Sequence, residues 1–208
     1  MIIPKIWPSI VVKNQVELNA LLKKLRGVSK TLHLDIVDGK FAPNYSLNFN
    51  FKLSPNFNYV AHLMIKHPQQ WIKRYGAKVQ WYIPHLEALS DIKAYIKSQK
   101  DLKKKVALAI LPETTVKTIK PFLLEIDYLL VLTVHPGFYG SKYLVRNRKI
   151  RAIKKFNPRI KIIDDGSMNL KTIRSAKKAG ADYFISGSYV SKADNPKERM
   201  KELKQSLV

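Results

Sequence analysis

Residues 32–44 read LHLDIVDGKFAPN. The apolar, β-branched run that begins at Thr31 is interrupted by His33 and Asp35, two residues apart. Successive side chains of a strand point to opposite faces, so this polar pair shares one face. The run stops at Gly39, just beyond the strand.

The same layout recurs along the chain. Apolar or β-branched runs begin near Ile2, Thr31, Phe57, Lys78, Lys104, Asp127, Ile160 and Asp182. Between them lie amphipathic stretches. Val16–Leu25 places apolar residues at Val16, Leu18, Leu21, Leu22 and Leu25, and Ile92–Ile96, Val116–Leu123, Ile150–Phe156 and Leu170–Ala179 behave alike. Strand then helix, repeated, predicts a parallel sheet with helices outside it. Eight units in 208 residues leave about 26 each, compact but sufficient for a (β/α)₈ TIM barrel. A doubly wound open sheet satisfies the same periodicity. No linker or low-complexity segment divides residues 1–208, so a single domain is expected.

Glycines and histidines favour the barrel. Gly27, Gly76 and Gly180 follow helical patterns, where a C′ residue needs positive φ. Gly39, Gly137, Gly140, Gly166 and Gly187 follow strands instead, and a barrel would gather them at one rim. His33 and His62 fall within strands or near their ends, while His85 and His135 follow strands. Polar groups at the C-terminal ends of strands are what a barrel active site requires.

Composition narrows the functional classes. The chain has no cysteine, which excludes disulfides, thiol nucleophiles and cysteine-bound zinc. No stretch is apolar and long enough to span a bilayer, and MIIPKIWPSI reads as a strand, not a signal peptide, so a cytoplasmic protein with no membrane partner is expected. Lys and Arg number 38 against 15 acids, a formal charge of +23. These charges recur at helical spacing and form no basic tail, as lysines on solvated helix faces do. A phosphate-rich partner is the other reading.

Four side chains carry the chemistry. His33 and Asp35 share a face; His62 lies in AHLMI with Met64 on its own face; Asp165 ends the run KIIDD. Two imidazoles and two carboxylates from three strands could hold one divalent metal, and zinc, iron, manganese and cobalt all accept such a mixed set.

Several ordered segments together resemble the ribulose-phosphate 3-epimerase family. They are KIWPSI (5–10), LHLDIVDGKFAPN (32–44), AHLMIKHPQQWI (61–72), HLEA (85–88), VALAILPETTV (106–116), VLTVHPGFYGSKYL (131–144), IIDDGSMNLKTI (162–173) and ADYFISGSYV (181–190). The resemblance implies a TIM barrel of the ribulose-phosphate-binding type. It implies that His33, Asp35, His62 and Asp165 ligate the metal, that Asp35 and Asp165 are also the acid–base pair, and that His62 faces substrate as well. Ser9 would contact substrate. Gly137, Phe138, Tyr139 and Gly140 would form a loop closing over it. Asp165, Gly166, Ser167, Gly187 and Ser188 would line the substrate and phosphate end, where exposed backbone N–H groups beside helix N-termini suit a phosphate. A homo-oligomer is implied too.

The activity so implied interconverts D-ribulose 5-phosphate and D-xylulose 5-phosphate, a reaction of the pentose phosphate pathway. One carboxyl group would remove the C3 proton, and the other would deliver a proton to the opposite face of the enediolate. A shared metal and mutual repulsion are expected to separate the two carboxyl pKa values. The chain departs from the family at Ser167, where a second glycine is common, at Tyr139 and Ser141 in the loop, and at Val37 and Leu132, where methionine is common. Two alternatives stand beside this reading. One is an epimerase of a related ketose phosphate such as allulose 6-phosphate. The other is a non-catalytic RNA- or anion-binding protein on the same scaffold, although no recognised nucleic-acid motif supports specific binding.

Overall fold

The computed structural model describes residues 5–137 and 141–207. Nine strands occur among them: β1 (Lys5–Ile10), β2 (Thr31–Asp38), β3 (Tyr45–Ser46), β4 (Asn58–Met64), β5 (Trp81–Pro84), β6 (Ala107–Ile110), β7 (Tyr128–Leu132), β8 (Lys161–Asp165) and β9 (Tyr183–Ser186). The helices are α1 (Gln15–Lys24), α2 (Pro68–Tyr75), α3 (Ile92–Asp101), α4 (Val116–Ile119), α5 (Asn147–Phe156), α6 (Leu170–Ala179) and α7 (Pro196–Gln205).

Eight of the strands are parallel and neighbour one another in the order β5-β4-β2-β1-β9-β8-β7-β6. A parallel bridge between His85, just after β5, and Ala109 of β6 joins the two ends of that series. The result is a (β/α)₈ barrel, and the open sheet is set aside. β3 is extra, a two-residue strand antiparallel to the end of β2.

Period-two alternation sorts the strand side chains into two cores. Leu32, Leu34 and Ile36 of β2 and Tyr59, Ala61 and Leu63 of β4 join the large core beneath the helices. Trp7, Val60, Ile83, Leu130, Ile163 and Ile185 fill the barrel interior. At the N-terminal mouth the interior ends in a cluster of rings. Trp7 lies 5.6 Å from Trp81 and 4.8 Å from Tyr183, and Tyr128 lies 4.6 Å from Trp81.

Capping residues set the helices. Asn14, Asp91, Thr115 and Asn195 accept backbone N–H bonds in the first turns of α1, α3, α4 and α7. Asn169 and Thr172 make a capping box on α6, which ends at Gly180 with φ 109°.

Three expectations are corrected. Gly76 has φ −58° and continues the helix into a 3₁₀ turn; its want of a side chain serves packing, since a Cβ would sit 3.2 Å from Tyr82. Val16 is exposed, because the apolar face of α1 is set by Leu18 and Leu22. The helix expected over Val116–Leu123 stops at Ile119 and tightens into a 3₁₀ turn at Lys120–Phe122, where Pro121 supplies no N–H for a continuing helix. No helix among the described residues is long and apolar enough to cross a membrane.

Candidate active site and metal centre

The interior layer nearest the C-terminal mouth is polar. In register, Asp35 of β2 pairs with His62 of β4, and His33 pairs with Ser9 of β1. Asp165 is the last residue of β8, beside Ile185 of β9. Alternation therefore aims His33, Asp35, His62 and Asp165 into one volume, and their nearest ligand atoms all lie within 4.8 Å of one another.

His33 Nε2 is 3.3 Å from Asp35 Oδ1 and 3.5 Å from Asp165 Oδ2. His62 Nδ1 is 3.5 Å and 3.2 Å from the same two oxygens. Both imidazoles are fully buried. None of these contacts has hydrogen-bond geometry: both nitrogens of His33 and Nδ1 of His62 are buried without a hydrogen-bond partner. Such orphaned nitrogens are costly unless something else satisfies them. Four convergent N and O donors fit a divalent cation.

The electrostatics are strongly coupled. Burial opposes protonation of His33, but the charge of Asp35, helped by Asp165, lifts it from 6.5 to about 9. His62 is raised in the same way: burial opposes its protonation, and Asp165 and Asp35 together outweigh burial. Burial alone would raise both carboxyls; the charge of His33 draws Asp35 below the usual carboxylate range, and polar contacts from His33 and His62 do so for Asp165. The four side chains by themselves thus hold both carboxylates ionised and do not separate them into an acid and a base.

Above the carboxylates opens a cavity of about 560 Å³, continuous with solvent. Ser9, Asp35 and Asp165 supply its polar floor, and Val37, Met64 and Leu132 its apolar wall. Gly137, Gly166, Ser167, Gly187 and Ser188 line its far side. His62 lies beneath the carboxylates and not on the cavity wall. Phe138, Tyr139 and Gly140 lie outside the described residues. His135 is not brought in; its largely exposed ring sits 3.6 Å from Glu113.

Local backbone explains the glycines on that side. Gly166 has φ 141°, and a Cβ there would sit 2.8 Å from Thr133 Oγ1. Gly137 has φ 120°, and a Cβ would sit 2.3 Å from the carbonyl oxygen of Pro43. Ser167 adopts φ 46°, a left-handed conformation disfavoured for serine, while its hydroxyl donates to the carbonyl of Ser141.

Sequence reasoning underrated two groups. From the sequence, His85 and Glu87 in HLEA could reach the site but read as residues supporting it from behind or as structural; in the structure His85 Nε2 lies 2.8 Å from His62 Nε2, and its Nδ1 lies 3.2 Å from Glu87 Oε2. Burial holds His85 neutral, down to about 4. Asp164 faces away from Asp165, accepts from Thr133 Oγ1 at 2.8 Å, and is pushed by burial up to about 7. Thr133 N–H also donates to the carbonyl of Asp165 at 2.7 Å, which fixes the end of β8.

Residues 5–191 match the family model described as "Ribulose-phosphate 3 epimerase family". The chain belongs to that family. Its members are carbohydrate-phosphate epimerases, so the protein is an enzyme of the isomerase class. Among curated relatives, the ribulose-phosphate 3-epimerase of Mycobacterium bovis is 30% identical over 203 aligned positions, covering 93% of this chain and 88% of its own. That of Aquifex aeolicus is 29% identical over 194, covering 88% and 87%. Solved structures agree on the fold. KGPDC from Streptococcus mutans superposes with a TM-score of 0.68 at 13% identity, over 99% of this chain and 97% of that one. The 3-hexulose-6-phosphate synthase of Salmonella typhimurium gives 0.67 at 14%, over 98% of each. At these identities the epimerase relatives carry the function and the solved neighbours carry only the barrel.

Proposed function

We propose that the protein is a metal-dependent ribulose-phosphate 3-epimerase that interconverts D-ribulose 5-phosphate and D-xylulose 5-phosphate, a cytoplasmic step of the pentose phosphate pathway. The observation that carries this is the placement of Asp35 and Asp165 on one cavity floor, with the bare nitrogens of His33 and His62 directly beneath.

A divalent ion held by His33, Asp35, His62 and Asp165 would supply Lewis-acid stabilisation of the negative charge that develops on the sugar oxygens. The residues do the rest. Substrate enters with C3 between the two carboxyl groups. One of them, ionised, accepts the C3 proton, leaving an enediolate, and the other, protonated when substrate and metal are bound, gives its proton to the opposite face; the reverse reaction exchanges their roles. Asp35 and Asp165 come from strands on different sides of β1 and β9, which suits attack from two faces. Ser9 stands on the floor beside them. Backbone N–H groups at Gly166–Ser167 and Gly187–Ser188 serve the phosphate, with the following helical turns contributing positive dipole ends. Val37, Met64 and Leu132 keep water from the reacting carbon. The +23 charge speeds encounter with a dianionic substrate, and a homo-oligomer is the expected assembly.

The test is a coupled assay on metal-loaded wild type and Asp35→Asn, run with five- and six-carbon ketose phosphates. Turnover of ribulose 5-phosphate by wild type, lost in Asp35→Asn, is expected. Preference for allulose 6-phosphate would move the assignment to that substrate, and full activity of the variant would remove Asp35 from the mechanism.

A further inference from the structure

We infer that Glu87 and His85 are positioning residues that set the tautomer of His62, so that its Nδ1 faces the metal centre as a bare lone pair. This rests on the metal reading of the site given above.

The deduction follows hydrogen ownership along a chain of contacts. Glu87 Oε1 accepts from the backbone N–H of Leu111 at 3.0 Å and from the hydroxyl of Thr114. These bonds tie the carboxylate to the segment after β6 and leave Oε2 facing His85 Nδ1 at 3.2 Å. An ionised carboxylate only accepts, so the hydrogen between them belongs to His85 Nδ1. A neutral imidazole carries one N–H, which makes His85 Nε2 an acceptor. The 2.8 Å contact to His62 Nε2 then requires the hydrogen on His62 Nε2. With a cation in place of a second proton, His62 carries that hydrogen alone, and its Nδ1 is left as a lone pair toward Asp35 and Asp165. With the opposite order, His62 would present an N–H to the position where a ligand atom is needed. The backbone supports the arrangement, because His85 is the residue whose bridge to Ala109 joins the ends of the barrel, and its side chain is fully buried. An imidazole ligand oriented through its second nitrogen by a further acceptor is a general device of metal sites.

Glu87→Gln tests this with little change of shape. Leu111 N–H and Thr114 O–H hold the amide oxygen where Oε1 was, which directs the amide NH₂ at His85 Nδ1. The chain of hydrogens is then reversed. Zn²⁺ is the probe, its affinity read by chelator competition and the tautomers by long-range ¹H–¹⁵N NMR of the zinc-loaded protein. In wild type we expect His85 as the Nδ1–H form and His62 protonated at Nε2. Glu87→Gln should bind Zn²⁺ about 10–100-fold more weakly, while the distant surface variant Asp101→Asn binds as wild type does. His85→Gln, which keeps an acceptor oxygen, should lose less affinity than His85→Leu. An Nε2–H tautomer of His85 in wild type overturns the inference even if the variants do not fold. Unchanged affinity in folded Glu87→Gln overturns it while leaving the metal site standing. Failure of wild type to take up one Zn²⁺ defeats the metal reading and this inference with it.

Discussion

The two mouths of the barrel are built by the same alternation and end in opposite chemistry. At the N-terminal mouth the inward positions are Trp7, Trp81, Tyr128 and Tyr183, whose rings close on one another. At the C-terminal mouth they are His33, Asp35, His62 and Asp165, four polar groups among which both nitrogens of His33 and Nδ1 of His62 are buried without partners. One end hides apolar area and stabilises the fold; the other concentrates unsatisfied polarity that only a ligand can relieve. Strand C-termini carry function in this architecture and N-termini carry stability.

The largest expected effect that would break this contrast lies at the polar mouth. Asp35→Asn or Asp165→Asn should lower kcat by at least about 10²–10⁴-fold, the usual worth of a positioned acid or base, while the variants still fold. A folded variant with ordinary turnover would undo the assignment. Trp7→Ala should do the reverse, costing about 3–5 kcal/mol of stability as large-to-small core changes do, with kcat per folded molecule preserved. Urea titration beside an activity assay separates the two mouths.

Acidity sharpens the comparison further. In metal-stripped protein His33 is raised from 6.5 to about 9, first against burial and then by the charge of Asp35. A group with a raised folded pKa contributes stability that is complete below its unfolded pKa and is lost as pH rises through the folded value. Melting temperature of chelator-treated protein should therefore fall between about pH 6.5 and 9, and a flat or rising profile would count against the coupling of His33 to the two aspartates. The smallest effect belongs to Ser167→Gly. It relieves a left-handed serine worth about 1 kcal/mol and removes the hydroxyl's bond to Ser141, worth about as much. Denaturant unfolding should show a net change under about 1 kcal/mol. A loss well beyond that would mean the hydroxyl anchors more than its one carbonyl.

Most of the barrel was legible because each strand carries its own signal. The helix at Leu170–Ala179 agrees residue for residue, since Asn169 and Gly180 punctuate both of its ends. The candidate site was legible for a related reason: period two places His33 with Asp35, and His62 with Met64, without knowledge of the fold. Val16 misled because apolar character alone does not say which side of a helix meets the core. β3 is two residues long and has no periodicity to detect. The Glu87–His85–His62 chain was hidden for a deeper reason. It depends on two adjacent strands bringing residues 23 positions apart within 2.8 Å, and on Leu111 and Thr114 from a third segment. The pairing of Asp164 with Thr133 is non-local in the same way.

The join between β5 and β6 differs from the others among the described residues. Its neighbours are laced by ladders of two to seven paired positions, whereas here a single bridge, His85 to Ala109, links the staves. A hoop loosens first at its thinnest joint, so breathing is expected along that seam, with amide exchange there faster than in the laced strands. Because the stitch belongs to the residue that touches His62, slack in the hoop is transmitted directly to the orientation of that imidazole.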